Sequence, residues 1–374
     1  MEKDNLFKNI DYDNCITNVT SSIQKFYHLK PNYKTNEQLD KILSEKDYDN
    51  VVLLILDGCG NAIIDKNTTE NHFLRTHRIG TFKSTYPPTT ANCTTAYLSG
   101  LNPITTNWLG WSTYYNDLNL GVDNFHNKET MSKELISGEN IAYRKMPFTH
   151  MGEIISKNSD KNVSYYTIFP HFVNGGCKSL KEFEHRICKL CNQIGKKYIY
   201  AYWDDPDKTM HLEGTNTLNV KKILNSVSKM LHRIERKTKN TLVIVSADHG
   251  QIDVAPIALY TYYDLMGCLK GPITCDARTA FFFVKDEKKE EFVRLFKKYF
   301  DGMYELFTKD EIINKHIFGY GDENPLYRQT IGDFIAIAKA NYFFLISPKS
   351  QILKGHHSGP TIDEMSIPLI IIKN

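Results

Sequence analysis

The chain has 374 residues, 41% of them hydrophobic, with 46 basic and 43 acidic side chains and a formal charge of +3. The length allows a large core in two to three domains, and the near-balance of charge gives no reason to expect a nucleic-acid polymer or an anionic membrane as partner. Eight cysteines in so long a chain make no disulfide framework, and no apolar run approaches the length of a bilayer span.

Residues 1–14 are polar and mixed in charge, without a basic stretch followed by an apolar one. They do not read as a signal peptide, so the expected location is the cytoplasm. Ile23, Phe26 and Tyr27 recur at helical spacing, which makes residues 1–47 a helical N-terminal extension. The rest, 48–374, reads as one α/β domain. Its first strand is the unbroken apolar run 51–56, which ends in Asp57-Gly58. A run without polar alternation fits a strand covered on both faces, as in a parallel sheet. Pro87 and Pro88 hold an extended approach to a helix that begins near Thr90 and stops at Gly100. Trp108, Trp111, Tyr114 and Tyr115 follow, either as core or as a platform for a base.

Residues 183–194 are amphipathic and put Cys188 and Cys191 on one helix face, where they read as core or surface thiols. Residues 198–203 form a strand. Val220, Ile223, Leu224, Val227, Leu231 and Ile234 then mark a helix, and 241–246 form a second strand. Strand, helix and strand with short joints make a βαβ unit, so both strands run parallel and end on one edge of the sheet. Residues 280–284 (strand) and 290–300 (helix, with Phe292, Leu295, Phe296 and Tyr299 on one face) mark a small α/β insertion or lid at about 276–333. Strand character returns at 342–346 and 368–372, with Thr361 and Glu364 spaced as a capping box between them. The expected architecture is a mostly parallel central sheet flanked by helices, with a small α/β insertion.

Four separated segments, each beside an expected strand, carry metal-ligand residue types. They are Asp57-Gly58, Asp205-Pro206-Asp207 with His211, Asp248-His249-Gly250, and Gly355-His356-His357-Ser358-Gly359. Each alone reads as a turn or a solvated loop. Their coincidence at strand ends, where open α/β sheets bind ligands, points to a metal centre. Carboxylate and imidazole suit zinc, and equally manganese or iron. Thr90 completes the set. At a helix N-terminus, free N–H groups and the helix dipole favour an alkoxide and a bound phosphate. Taken in isolation, Thr89 or Thr90 is only an N-cap. A threonine hydroxyl needs a base or a metal to become nucleophilic, so Thr90 and the ligand clusters explain one another.

Together these motifs resemble the alkaline phosphatase superfamily, and within it the type I phosphodiesterase/nucleotide pyrophosphatase family. The resemblance runs from about residue 51 to the C-terminus. It rests on Pro206-Asp207 with His211, Asp248-His249-Gly250, His357 followed by Pro368, and the stretch Pro88-Thr89-Thr90-Ala91 to Ser99-Gly100, which is similar to the family's nucleophile helix. It implies two divalent metal ions, with Asp57, Thr90, Asp248 and His249 at one and Asp207, His211 and His357 at the other. Thr90 matches the nucleophile better than Thr89 by its distance to Gly100, and His357 is preferred to His356 because the family has Gly-x-His before a small residue. The implied reaction is hydrolysis of a phosphodiester or pyrophosphate of a small molecule or nucleotide through a phospho-threonine intermediate.

One departure stands out. Trp111 occupies the place of the family's phosphate-contacting Asn, and Asn92, one turn into the helix, is the candidate substitute. Alternatives are a phosphonoacetate hydrolase-like, phosphomonoesterase or mutase activity, or a non-catalytic nucleotide-binding module. The leaving group would be selected by residues 110–170 and 276–333.

Overall fold

The computed structural model describes residues 5–374, so the first four residues of the expected N-terminal extension lie outside the described residues. In chain order, α1 (Ile16–Phe26) and α2 (Glu37–Ser44) lead into β1 (Asn50–Leu56) and β2 (Arg78–Lys83). Then come α3 (Thr90–Ser99), β3 (Val163–Ile168), α4 (Leu180–Cys191), β4 (Lys196–Trp203), α5 (Asp207–Glu213), α6 (Leu218–Lys237), β5 (Thr241–Ser246) and β6 (Ser366–Lys373).

The six strands make one sheet in the order β2-β6-β5-β1-β4-β3. β1 pairs in parallel with both β4 and β5, and β3 with β4. β4 and β5 are parallel, as the short joints to α6 require, but β1 lies between them. β6 is antiparallel to both its neighbours, so it alone runs in the reverse sense. Every residue of β1 is buried, the mark of a central strand covered on both faces. On α6, Val220, Leu224, Val227, Met230, Leu231 and Ile234 form the buried stripe, while Ile223 is half-buried.

Asn36 caps α2 by accepting the Leu39 N–H at 3.0 Å. Ile16, Val19, Ile23 and Tyr27 around α1 join the same hydrophobic core as β1, and the Tyr27 hydroxyl donates to the Lys197 carbonyl at 2.9 Å. All eight cysteines are unpaired and buried. Cys188 and Cys191 sit on the inner face of α4, and burial pushes the Cys191 thiol up to about 12. Among the described residues, no helix is long and apolar enough to cross a membrane.

A second, seven-stranded antiparallel sheet lies beside the first. Its order is Tyr304–Thr308, Phe334–Ala338, Thr279–Phe282, Thr274–Cys275, Ser112–Tyr115, Leu120–Asp123 and Lys128–Glu129. Residues 112–129 thus share one sheet with residues 274–338. The helix Lys289–Phe300 covers it with Phe292, Leu295, Phe296 and Phe300. Tyr342–Leu345 pairs elsewhere, in parallel with Ala255–Ala258.

Arg278 joins the two halves. It is fully buried, with its Nε 2.8 Å from Glu364 Oε1 and its Nη1 donating to the carbonyls of Ala340 and Tyr342. Thr361 accepts the Glu364 N–H as expected, but the Glu364 carboxylate does not return to the Thr361 backbone N–H. It accepts from Arg278, Gly359 N–H and the Thr361 hydroxyl instead. Half of the capping box was therefore diverted to a buried ion pair. Glu364→Ala leaves the Arg278 charge buried without its partner, at a cost of about 3–5 kcal/mol. We expect a lower urea midpoint for this variant, and a smaller loss when Arg278→Met is combined with Glu364→Leu.

Candidate active site

Three carboxylates meet where β1, β4 and β5 end. Asp57 follows β1 directly, and its N–H donates to the Trp203 carbonyl at 2.9 Å. Asp207 opens α5 after β4, and its N–H donates to the Asp57 carbonyl at 3.1 Å. Asp248 follows β5 and accepts at Oδ1 from Gly58 N–H (3.1 Å) and His249 N–H (3.0 Å). Gly58 has φ +68° and approaches Asp207 so closely that a Cβ would lie 2.8 Å from the Asp207 Cβ. Only glycine lets the β1 turn bring the carboxylates together here.

Three imidazoles face them. His211 sits one turn after Asp207 on α5, with Nε2 3.1 Å from Asp207 Oδ2. His249 Nε2 lies 3.4 Å from Asp57 Oδ1 and 3.5 Å from Asp248 Oδ2. His357 Nε2 lies 4.0 Å from Asp207 Oδ1, and its ring stacks on that of His249 at 3.9 Å. The loop carrying His357 is seated by antiparallel pairing of Gly355 and His356 with Asp253 and Ile252.

The tautomers follow from the partners. Each Nδ1 meets a backbone carbonyl, Gly355 for His211 (2.8 Å), Gly250 for His249 (3.0 Å) and Pro88 for His357 (3.1 Å). A carbonyl only accepts, so each Nδ1 carries a proton. His249 and His357 present Nε2 to the carboxylates as a ligand atom, while the raised His211 imidazole also carries a proton at Nε2 and donates it to Asp207 Oδ2. Asp57 Oδ1, Asp207 Oδ1 and Asp248 Oδ2 are buried without a hydrogen-bond partner. Lone pairs facing orphaned carboxylate oxygens repel unless a cation lies between them. Two groups have ligand atoms near enough to share one ion: Asp57, Asp248 and His249, and Asp207, His249 and His357. The donor set therefore fits divalent metal ions.

The acid–base balance tells the same story. Burial and the neighbouring Asp248 and Asp207 hold the Asp57 carboxyl well above its ordinary range. Burial also raises Asp248, against the pull of His249. Burial opposes charge on His211, but the Asp207 carboxylate outweighs it and lifts the imidazole to about 9. Burial and the neighbouring His249 push His357 well below its usual value.

Thr90 is the first residue of α3, with its Oγ1 3.3 Å from His249 Nε2. Pro88 places it. The Pro88 carbonyl accepts both from His357 Nδ1 and from Ser358 N–H, so the approach to α3 is tied to the histidine loop. Gly100 ends the helix in the left-handed conformation. The first intrahelical bond runs from Cys93 N–H to the Thr89 carbonyl, so the N–H groups of Thr90, Ala91 and Asn92 precede the ladder.

Residues 51–360 match the profile of the type I phosphodiesterase/nucleotide pyrophosphatase family. The chain belongs to that family. It thereby falls in the alkaline phosphatase superfamily, and the family's members are metal-dependent phosphoesterase hydrolases. No curated protein matches the chain by sequence. Among solved structures, murine ectonucleotide pyrophosphatase/phosphodiesterase 5 is similar with TM-score 0.65 and 16% identity, over 87% of this chain and 88% of that one. An inactive variant of the murine protein, in complex with AMP, gives TM-score 0.62 and 16% identity over 85% and 87%. Phosphonoacetate hydrolase from Sinorhizobium meliloti 1021, in complex with phosphonoformate, gives TM-score 0.60 and 12% identity over 86% and 89%.

Within this phosphodiesterase fold, Asp57, Thr90, Asp207, His211, Asp248, His249 and His357 converge at one place. Asn92 is buried and has both ends of its amide engaged, donating to the Pro87 carbonyl (2.8 Å) and accepting from the Thr85 hydroxyl (3.3 Å). Trp111 is partly exposed and packs against Phe125 and His126. Trp108, Tyr114 and Tyr115 belong to the core, with the Trp108 indole N–H donating to the Met146 carbonyl.

Two contributors escaped sequence reasoning. The Tyr202 hydroxyl donates to Asp57 Oδ2, and Asp276 Oδ2 accepts from the Thr89 hydroxyl at 2.6 Å. Tyr202 lies in a strand read as apolar core, and Asp276 in a polar turn, so neither carries a local signal.

A carboxyl raised by burial stabilises the fold below its unfolded value, and that contribution is lost as pH climbs through the raised one. Stripped of metal, the protein therefore loses stability between acid and neutral pH. Asp57→Asn removes this penalty and stabilises the stripped protein at neutral pH by roughly 1–3 kcal/mol. Thermal melts with and without added zinc check both sides: the variant melts higher than wild type without metal and gains less from it.

Proposed function

We propose that the chain hydrolyses a phosphodiester or pyrophosphate of a small molecule or nucleotide by attack of Thr90 on phosphorus. The observation that carries this reading is the position of Thr90. Its hydroxyl opens a helix whose first N–H groups lie outside the ladder, and it stands 3.3 Å from His249 Nε2 beside orphaned carboxylates. In this reading Asp57, Asp248 and His249 hold one divalent ion together with Thr90, and Asp207, His211 and His357 hold a second. Zinc is the first choice, with manganese or iron as alternatives. Bound there, the ions would supply the positive charge that favours an alkoxide at Thr90 and neutralises the phosphate oxygens.

This chain's residues do the rest. Thr90 attacks in line, its P–O bond forms as the bond to the leaving alkoxide or phosphate breaks, and the helix N-terminus draws the phosphoryl oxygens. Water then cleaves the phospho-threonine, so two inversions leave the configuration at phosphorus retained. In this reading the leaving group is chosen by residues 110–170 and 276–333. The eight unpaired cysteines support a cytoplasmic, reducing location.

Bis-aryl phosphodiester, aryl phosphomonoester and aryl phosphonate, offered to zinc-loaded protein, test the reading. The diester should turn over fastest, chelator should abolish turnover, and zinc should restore it. Thr90→Ala should retain metal and lose at least about a thousandfold in kcat. Substantial turnover by Thr90→Ala would rule out the covalent route.

A further inference from the structure

Thr89 stands at the N-cap of α3 with extended backbone, the position from which a threonine hydroxyl normally accepts an N–H of the first turn. Among the described residues, the other threonines that precede helices, Thr217, Thr308 and Thr361, all do so. Thr89 does not: its hydroxyl donates to Asp276 Oδ2 at 2.6 Å. Asp276 is itself fixed. Its Oδ1 accepts the Ala277 N–H at 2.7 Å, and its own N–H donates to the Thr279 carbonyl at 2.9 Å. Ser358 holds φ +83°, a conformation that costs a non-glycine residue and is kept by its bonds to Pro88, Arg278 and Thr279.

A carboxylate beside a phosphate site is electrostatically unfavourable, so its presence there needs a compensating task. We propose that Asp276 is a positioning residue that holds the Thr89 hydroxyl off the α3 N-terminus, keeping the first-turn N–H groups open to the substrate phosphate. This inference rests on the proposed phosphoryl transfer at Thr90. Released from Asp276, the Thr89 oxygen turns onto Ala91 or Asn92 N–H and caps its own helix, as its sequence position favours. The cap then competes with phosphate for the same donors.

The sign of the effect separates this role from two others. Loss of the carboxylate alone would strengthen anion binding. A merely structural loss would not be relieved by a second truncation. The test uses inorganic orthophosphate binding to zinc-loaded protein, measured by calorimetry, together with kcat and KM on the aryl phosphodiester. Asp276→Ala should weaken orthophosphate about five- to tenfold, the worth of a threonine cap, and lower kcat more than it changes KM. Adding Thr89→Ala to it should restore orthophosphate to within about threefold of wild type, because no cap remains to compete. Asp276→Asn, whose amide can hold the Thr89 oxygen in place while removing the charge, should bind orthophosphate at least as tightly as wild type.

A crystal structure of Asp276→Ala should show Thr89 Oγ1 on the Asn92 or Ala91 N–H. Where Asp276→Ala folds poorly, Asp276→Ser serves, since it keeps an oxygen near Ala277 but is too short to reach Thr89. Orthophosphate binding as tight as wild type in Asp276→Ala, or a double variant as weak as the single, overturns the proposal. Thr90→Ala assayed in parallel keeps the two readings apart. Its activity decides the nucleophile, whereas the structure and the phosphate titration decide the role of Asp276.

Discussion

The repulsion among Asp57, Asp207 and Asp248 is the constraint around which this protein is built. Like charges placed together in a dry site are among the least favourable arrangements a chain can fold into. Here each carboxylate follows a strand of the same parallel sheet, so the backbone ladder fixes their spacing. The facing imidazoles commit their Nδ1 protons to backbone carbonyls, and His211 alone also brings a proton to a carboxylate, that of Asp207. What remains is a cluster of lone pairs that only cations satisfy, and the family to which the chain belongs is metal-dependent.

The surrounding architecture defends that cluster. Gly58 permits the approach of Asp57 to Asp207. Pro88 receives both His357 and Ser358, which locks the start of α3 to the histidine loop. Arg278 and Glu364 tie the same loop to the second sheet through a fully buried ion pair. Buried pairs of this kind contribute little net stability but penalise every arrangement in which one partner is displaced. Arg278 and Glu364 therefore act as a device for specificity of structure.

Much of this was legible in the chain. Unbroken apolar runs announced β1 and β5, and the periodicity of α6 between two strands announced a parallel unit. The carboxylates Asp57, Asp207 and Asp248 were found because each closely follows such a run. What was illegible is just as specific. That β1 would insert between β4 and β5 cannot be read from local spacing. Residues 112–129 form short strands that pair with one another and join the second sheet through the pair Ser112 and Cys275, far apart in sequence, so no local pattern linked them to the 274–338 region. Glu364 was read as half of a capping box because its partner Arg278 is 86 residues away. Asp276 drew no reading from the sequence, and Thr89 read as an ordinary cap. The two become informative only when seen bonded to each other.

The placement of β6 carries a consequence for how sheet and site depend on each other. This strand is not an edge addition: it sits between β2 and β5 and closes the gap between them. The segment that leads into it carries His357, whose Nδ1 reaches the Pro88 carbonyl, 269 residues upstream. β1, β4 and β5 gather the three carboxylates, but the His357 imidazole that faces Asp207 arrives with the strand that shuts the sheet. Closure of the sheet and completion of the site are therefore one event, not two.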